Sequence, residues 1–307
     1  MLPTTSAAEP PTRSLGVMFD RDRPPEQLGQ AVRYCERAVA DEFWVVEDLG
    51  WAGGVSSATA ALAETDRIKV GIGICPVPLR NPALLAMELA FLARRHPGRL
   101  LPGVGHGVPA WIRRLGSAPK SPLALLEETI VVLRGLLAGE RVAIDGRELH
   151  IEEFQLTHVP TPAPPLYTGV LGPKSLELSG RVADGTILVE GTGPNLLRRV
   201  REHIDRGREA AGRTDSHRIT VFCPAFVSDD DEAVRAVSAP VARDFSAFLG
   251  IPLDEAFLAV GSAERVAEQV NTLWEAGVDS VVLRPLGPAD GQVEQTARTL
   301  AALGRTA

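Results

Sequence analysis

The stretch from Pro165 to Val189, PLYTGVLGPKSLELSGRVADGTILV, reads as strand, glycine turn, helix, short turn and strand. The first strand is expected over Leu166 to Val170. Gly169 and Gly172 let the backbone turn sharply, and Pro173 presets φ for a first helical turn. Leu176, Leu178, Val182 and Ala183 supply the helix with apolar positions, Asp184-Gly185 ends it, and Thr186 to Val189 has the character of a buried strand. The stretch is therefore a βαβ unit. A helix that starts on a glycine turn presents free amides to an anion such as phosphate. An ordinary βα turn without a ligand uses the same residue types, so the ligand stays open at this point.

Working outward, short Val/Ile/Leu-rich runs alternate with helical patterns along most of the chain. The runs are Leu15 to Phe19, Phe43 to Val46, Ile68 to Ile74, Leu100 to Val104, Leu166 to Val170, Thr186 to Val189, Ile219 to Cys223 and Ser280 to Leu283. Helices are expected near Pro25–Ala40, Val55–Thr65, Pro82–Arg95, Pro122–Ala138, Pro173–Val182, Asn195–Ala211, Asp229–Leu249 and Ala263–Ala276, with one more from Val293 to Leu303. Eight alternations predict an α/β fold of the (β/α)8 TIM-barrel type. No G-x-G-x-x-G follows the first run, which disfavours an open dinucleotide-binding sheet. Arg141 to Ile151, RVAIDGRELHI, carries Asp145-Gly146 between alternating strands. It predicts a tight hairpin inserted as a small excursion on a long βα loop.

Composition agrees with one large barrel. The 307 residues are 45% hydrophobic but only 5% aromatic, so the core must be aliphatic, as in helix-covered parallel sheets. At this length about three quarters of the unfolded surface can be buried. Residues 1–14 are polar and proline-containing, without the apolar segment of a signal peptide, and are expected to be a disordered tail before a single domain over 15–307. A net charge of −7 and the lack of a basic run with interleaved aromatics exclude nucleic-acid binding. Pro82 to Ala93 is interrupted by Glu88 and is too short to cross a membrane. Cys35, Cys75 and Cys223 lie far apart and read as reduced cytoplasmic thiols, and the six histidines contain no pair at metal-ligand spacing.

In a barrel the chemistry lies at the carboxyl ends of the strands. That rule selects Asp20, Glu47, Asp48, Cys75, His106 within Gly103 to Gly107, Gly172 to Lys174, Glu190 and Arg284. Glu47 and Asp48 are adjacent, so only one of them is expected to face the centre. A carboxylate there can act as acid, base or hydrogen-bond acceptor, or simply cap a helix. The glycines around His106 allow close approach of a flat ligand, and Lys174 can neutralise a phosphate or remain solvated.

The segments IKVGIGICPVPLRNPALLA, GPKSLELSGRVADG, the IDG hairpin and GVGHG together resemble the luciferase-like monooxygenase superfamily. Within it the chain is most similar to the branch of F420-dependent reductases typified by methylenetetrahydromethanopterin reductase, and the likeness runs from about Leu15 to Leu286. The resemblance implies a barrel that binds coenzyme F420, or alternatively FMN, at the strand ends and acts on a small organic molecule, usually as a homodimer or higher homo-oligomer. It implies a nonprolyl cis bulge at Gly73-Ile74, followed by Cys75, behind the cofactor ring. It also implies that Gly105, His106 and Gly107 run past the ring, and that Gly172, Pro173 and Lys174 meet the phosphate side.

Two departures bear on the proton donor. The family commonly shows Asp-His after the second strand, where this chain has Glu47-Asp48 with Trp51 close behind. Relatives often carry a carboxylate after the glycines of the fourth strand, where Val108 stands here. The proton-donor candidates are Glu47, Asp48 and His106, with Glu47 first. The expected activity is hydride transfer to a C=N or activated C=C. An FMN-dependent monooxygenase is the alternative, and a barrel that has lost its chemistry is a third possibility kept open by Val108.

Overall fold

Strands that are apolar on both faces need cover on both, and closing the sheet into a ring provides it. The computed structural model describes residues 13–288 and 291–305. Its strands are β1 (Ser14–Met18), β2 (Glu42–Val45), β3 (Lys69–Pro76), β4 (Leu100–Gly105), β5 (Val142–Asp145), β6 (His150–Phe154), β7 (Tyr167–Gly169), β8 (Gly185–Leu188), β9 (Arg218–Val227), β10 (Ala259–Gly261) and β11 (Ser280–Pro285). The helices are α1 (Leu28–Arg37), α2 (Gly54–Ala63), α3 (Pro82–Arg95), α4 (Pro109–Arg114), α5 (Pro122–Leu137), α6 (Pro173–Val182), α7 (Pro194–Ala210), α8 (Asp231–Leu249), α9 (Ala263–Glu275) and α10 (Gln292–Ala302).

Eight strands pair in parallel in the order β1-β2-β3-β4-β7-β8-β9-β11, and β11 pairs with β1 to close the barrel. This is the TIM barrel that the alternation predicts. Residues of alternate parity serve two layers. Val17, Phe43, Val45, Val70, Ile72, Val104, Leu188, Val221 and Leu283 point outward into one core with helix residues such as Leu62, Leu89, Leu133 and Val266. Met18, Trp44, Leu101, Tyr167, Ile187, Phe222 and Val282 point inward and form a second cluster. Trp44 meets Phe222 and Tyr167 edge-on, with ring centroids 5.5 and 6.5 Å apart. A Cβ on Gly71 would sit 2.2 Å from the indole, so only glycine makes room for Trp44.

Beneath these aromatics the amino end of the barrel is closed by a buried polar cluster. Glu42 is fully buried and accepts from Trp44 Nε1 and Ser280 Oγ, both at 2.8 Å, and from the Arg218 guanidinium. One carboxylate thereby ties the starts of β2, β9 and β11, and every partner it needs is present.

Three expectations are corrected. The hairpin runs to Phe154, and its tight turn falls at Arg147-Glu148, closed by the Gly146 amide donating to the Leu149 carbonyl at 2.8 Å, instead of at Asp145-Gly146. Glu128 of α5 holds the turn there, its carboxylate accepting from the amides of Arg147, Glu148 and Leu149 at 2.7, 3.0 and 2.8 Å. The hairpin also lies between α5 and β7, on a helix-to-strand connection instead of a βα loop, and its tip reaches back along α5 to the helix start, where Glu148 accepts from the amides of Lys120 and Ser121. Two short elements, α4 and β10, were not expected; β10 adds to β9 beyond the ring. The expected tail lies outside the described residues except for Arg13 and Ser14, and Ser14 already belongs to β1.

Candidate active site at the carboxyl ends of the strands

The floor of the barrel mouth is made by β3. The Gly73-Ile74 peptide is cis, and the pairing of β3 with β4 shifts register between Ile72 and Cys75. The shift breaks the alternation, so Gly73 and Ile74 both face inward and both remain partly exposed. Phe222 occupies the space in front of Gly73, where a Cβ would lie 2.5 Å from the ring. The Ile74 side chain fills the space left by Gly103, Gly105 and Gly169, whose added Cβ atoms would lie 3.2, 2.4 and 2.6 Å from it. Cys75 is then turned outward. It is 1% exposed in the outer core, burial pushes its thiol up to about 12, and it is not brought to the mouth.

The GVGHG loop and the opening of α6 form a second wall. Gly107 has φ +70°, and a Cβ there would lie 2.8 Å from Pro76, so glycine is required on both counts. His106 Nε2 lies 2.9 Å from Ser175 Oγ in the first turn of α6, which fastens the loop to that helix. Burial lowers the His106 pKa below the ordinary imidazole value. Gly172 is the N-cap of α6 in extended geometry (φ −72°, ψ 150°), with no side chain capping the helix and Pro173 following. Gly172, Pro173 and Lys174 are exposed, and the space beside Gly172 is open. Uncapped amides beside a lysine in open space fit an anionic group. A smooth floor at Gly73-Ile74, joined to such a helix start, fits a flat ring carrying a phosphate.

The two adjacent carboxylates separate as expected, but Glu47 does not face the centre. In β2 and its continuation Trp44 and Val46 point inward, and Glu47 takes the other parity. It accepts from Arg80 Nε at 2.7 Å and from Arg80 Nη2, and from the Gly54 amide at the start of α2 at 2.8 Å. Asp48 stands at the rim and pairs with Arg21 at 2.6 Å; the Arg21 guanidinium lies over the Trp51 ring, 4.6 Å from its centroid. Trp51 Nε1 in turn donates to Asp22 at 3.1 Å, so these contacts join the loops after β1 and β2.

Three other strand-end residues converge, a grouping that residue-by-residue reading missed. Arg284 of β11 donates from Nε to Glu190 Oε1 and from Nη1 to Asp20 Oδ2 at 3.2 Å. Their side chains are 20%, 14% and 7% exposed in the order Arg284, Glu190, Asp20. No group of three or more His, Cys, Asp or Glu among the described residues is placed to hold a metal, and no described helix is long and apolar enough to cross a membrane.

This barrel, with its floor and helix-start geometry, is that of a known class: the chain belongs to the luciferase-like monooxygenase family, whose profile matches residues 1–251. It is 27% identical over 313 aligned residues to the 5,10-methylenetetrahydromethanopterin reductase of Methanolobus tindarius, covering 90% of this chain and 95% of that one. Its structure is similar to the coenzyme F420-dependent tetrahydromethanopterin reductase from Methanopyrus kandleri, with a TM-score of 0.78 at 20% identity over 96% of this chain and 98% of the other. A likeness also holds to the FMN complex of the oxygenating constituent of 3,6-diketocamphane monooxygenase from Pseudomonas putida. There the TM-score is 0.75 at 18% identity, over 96% of this chain and 98% of the other. At these identities the two structural matches establish the shared fold.

Proposed function

We propose that the chain is an F420-dependent oxidoreductase that reduces a C=N or activated C=C bond of a small organic substrate. The observation that carries this reading is the joining of the Gly73-Ile74 floor to the uncapped start of α6 through the 2.9 Å contact between His106 and Ser175. When bound, the reduced deazaflavin supplies a hydride. Gly73 and Ile74 support the ring, Gly105 to Gly107 line its edge, and Gly172, Pro173 and Lys174 take the phosphate. Dry walls of Ile74 and Phe222, the latter braced from beneath by Trp44, keep the reacting face from water and preserve orientation. The reductases of Methanolobus tindarius and Methanopyrus kandleri support the reductive reading.

The second reading is an FMN-dependent monooxygenase, favoured by the FMN-bound Pseudomonas putida neighbour. Titrating the purified protein with oxidised F420 and with FMN decides between them. Tighter binding of F420 is expected, and tighter FMN binding overturns the assignment. The reading includes a homo-oligomer in a reducing compartment, which the three buried free thiols and an exposed apolar stripe on α3 support.

A further inference from the structure

Reduction of a polar double bond needs a proton as well as a hydride, and the acid must sit at the mouth with an oxygen free to reach substrate. Glu47 fails this requirement, because it faces away and both its oxygens are held by Arg80 and the Gly54 amide. Asp48 stands at the open rim, paired through Oδ2 with the exposed Arg21, His106 is bound to Ser175, and Val108 carries no proton.

The Asp20-Arg284-Glu190 cluster meets the requirement. Alternation places Gly16, Met18 and Asp20 of the first strand inward, and likewise Ser280, Val282 and Arg284 of β11. Glu190 follows the end of β8 at Leu188 and joins them through its contact with Arg284, against the parity set by inward Ile187 and outward Leu188. One guanidinium stands between two carboxylates, so the cluster holds one more acidic group than it can neutralise. Asp20 is fully engaged: Oδ2 takes Arg284 and Oδ1 takes the Asp22 amide at 2.9 Å. Glu190 accepts from Arg284 through Oε1, and no donor among the described residues pairs with Oε2.

The groups facing Glu190 are Arg284 from β11, Asp20 and Arg21 from the end of β1, and the Cys223 thiol from β9. Burial raises the Glu190 carboxyl above the ordinary carboxylate range. Asp20 adds to this, while Arg284 and Arg21 oppose it. Cys223 is itself pushed up to about 12 by burial and stays a neutral thiol.

Resting on the oxidoreductase reading above, we propose that Glu190 Oε2 holds the proton that the reduced substrate takes up, with Arg284 stabilising the carboxylate left behind. As a substrate carbon gains hydride, its partner atom becomes electron-rich. The Glu190 O–H bond breaks and a new N–H or C–H bond forms at that atom. The glutamate remains as an anion against Arg284 and is reprotonated from solvent. Asp20 acts as a positioning residue that keeps Arg284 shared and Glu190 protonated.

The test has two arms. Infrared pH titration of the protein without cofactor should show a protonated carboxyl band that is absent in Glu190→Gln and moves to lower pH in Asp20→Asn, because a negative neighbour has been removed. Turnover of a cyclic imine with reduced F420 should fall about 100-fold or more in Glu190→Gln, with F420 affinity within about twofold, and its alkaline limb should move to lower pH in Asp20→Asn. An infrared band that survives in Glu190→Gln, or a turnover and pH profile unchanged by that substitution, overturns the proposal and leaves the oxidoreductase reading standing. A protein that binds neither cofactor overturns that reading instead, and the infrared arm still decides whether Glu190 holds a proton.

Discussion

Phe222 fills the place where Gly73 has no side chain: a Cβ on Gly73 would lie 2.5 Å from its Cζ and 2.9 Å from its Cε2. The ring comes from β9, across the barrel, and is itself braced by Trp44. Gly73→Ala should cost about 1–3 kcal/mol through overpacking. Adding Phe222→Leu should recover part of that loss. Denaturant melts of the two single variants and the double variant measure the coupling, and strict additivity would show that the two residues do not compete for space.

The Glu47-Arg80 pair should prove to be a structural tie between the loop after β2 and the start of α3. Both side chains are mostly covered, at 15% and 23% exposure. Hydrogen bonding to Glu47 raises the Arg80 pKa further, so that guanidinium is charged at every relevant pH. Glu47→Ala is expected to cost about 2 kcal/mol, and Arg80→Met a similar amount, with the double variant little worse than either. The pH profile of turnover should keep its shape in Glu47→Gln. A lost limb would return the proton to Glu47.

His217 should impose an acid limit on stability. Burial lowers its pKa to about 4 from 6.5, with Arg208 and Arg213 adding to the effect. Its Nε2 lies 2.8 Å from Thr186 Oγ1, while Nδ1 is buried facing the Ala183 backbone. The folded chain thus resists a proton that the unfolded chain accepts. Stability from this group is present above pH 6.5 and is lost as the pH falls towards 4, by about 3 kcal/mol in full. Melting curves of wild type and His217→Asn across that window should diverge at neutral pH and converge in acid.

Lys174→Ala should weaken F420 binding by about two- to fivefold, equivalent to about 0.4–1 kcal/mol for one charge at a helix start. The difference should shrink as salt is added, since Lys174 is exposed. An effect independent of ionic strength would place the phosphate elsewhere.

The outer face of α3 presents Leu84, Met87 and Phe91, which are 60%, 52% and 59% exposed. Spaced three and four residues apart, they form one stripe. Light scattering is expected to find a homodimer or larger assembly for wild type and a smaller species for Phe91→Asp. A monomeric wild type would remove the oligomer from the reading.

The eight barrel strands were legible because each is a short Val/Ile/Leu-rich run between helical patterns. The same apolarity concealed which way each side chain points. Trp44 and Val45 are equally hydrophobic, so nothing marked the parity that sends Glu47 away from the mouth. At Cys75 a period-2 reading could not succeed, because the register shift after Ile72 puts two consecutive residues inward. Asp20, Glu190 and Arg284 were each recognised as strand-end residues, yet 94 and 264 positions separate Arg284 from its two partners. Only ring closure joins them. Glu128 shows the opposite limit: a single carboxylate on α5 holds the turn at Arg147-Glu148, two residues beyond the Asp145-Gly146 pair that marked it in the sequence.

The buried Glu42 has a consequence for how this chain can be divided. Its partners Arg218 and Ser280 come 176 and 238 residues later. A fragment ending before β9 would carry a buried carboxylate with no countercharge, a defect of about 3–5 kcal/mol. The first half of the barrel is therefore not a self-sufficient module, and a split version of the protein should gain structure only when both fragments are mixed.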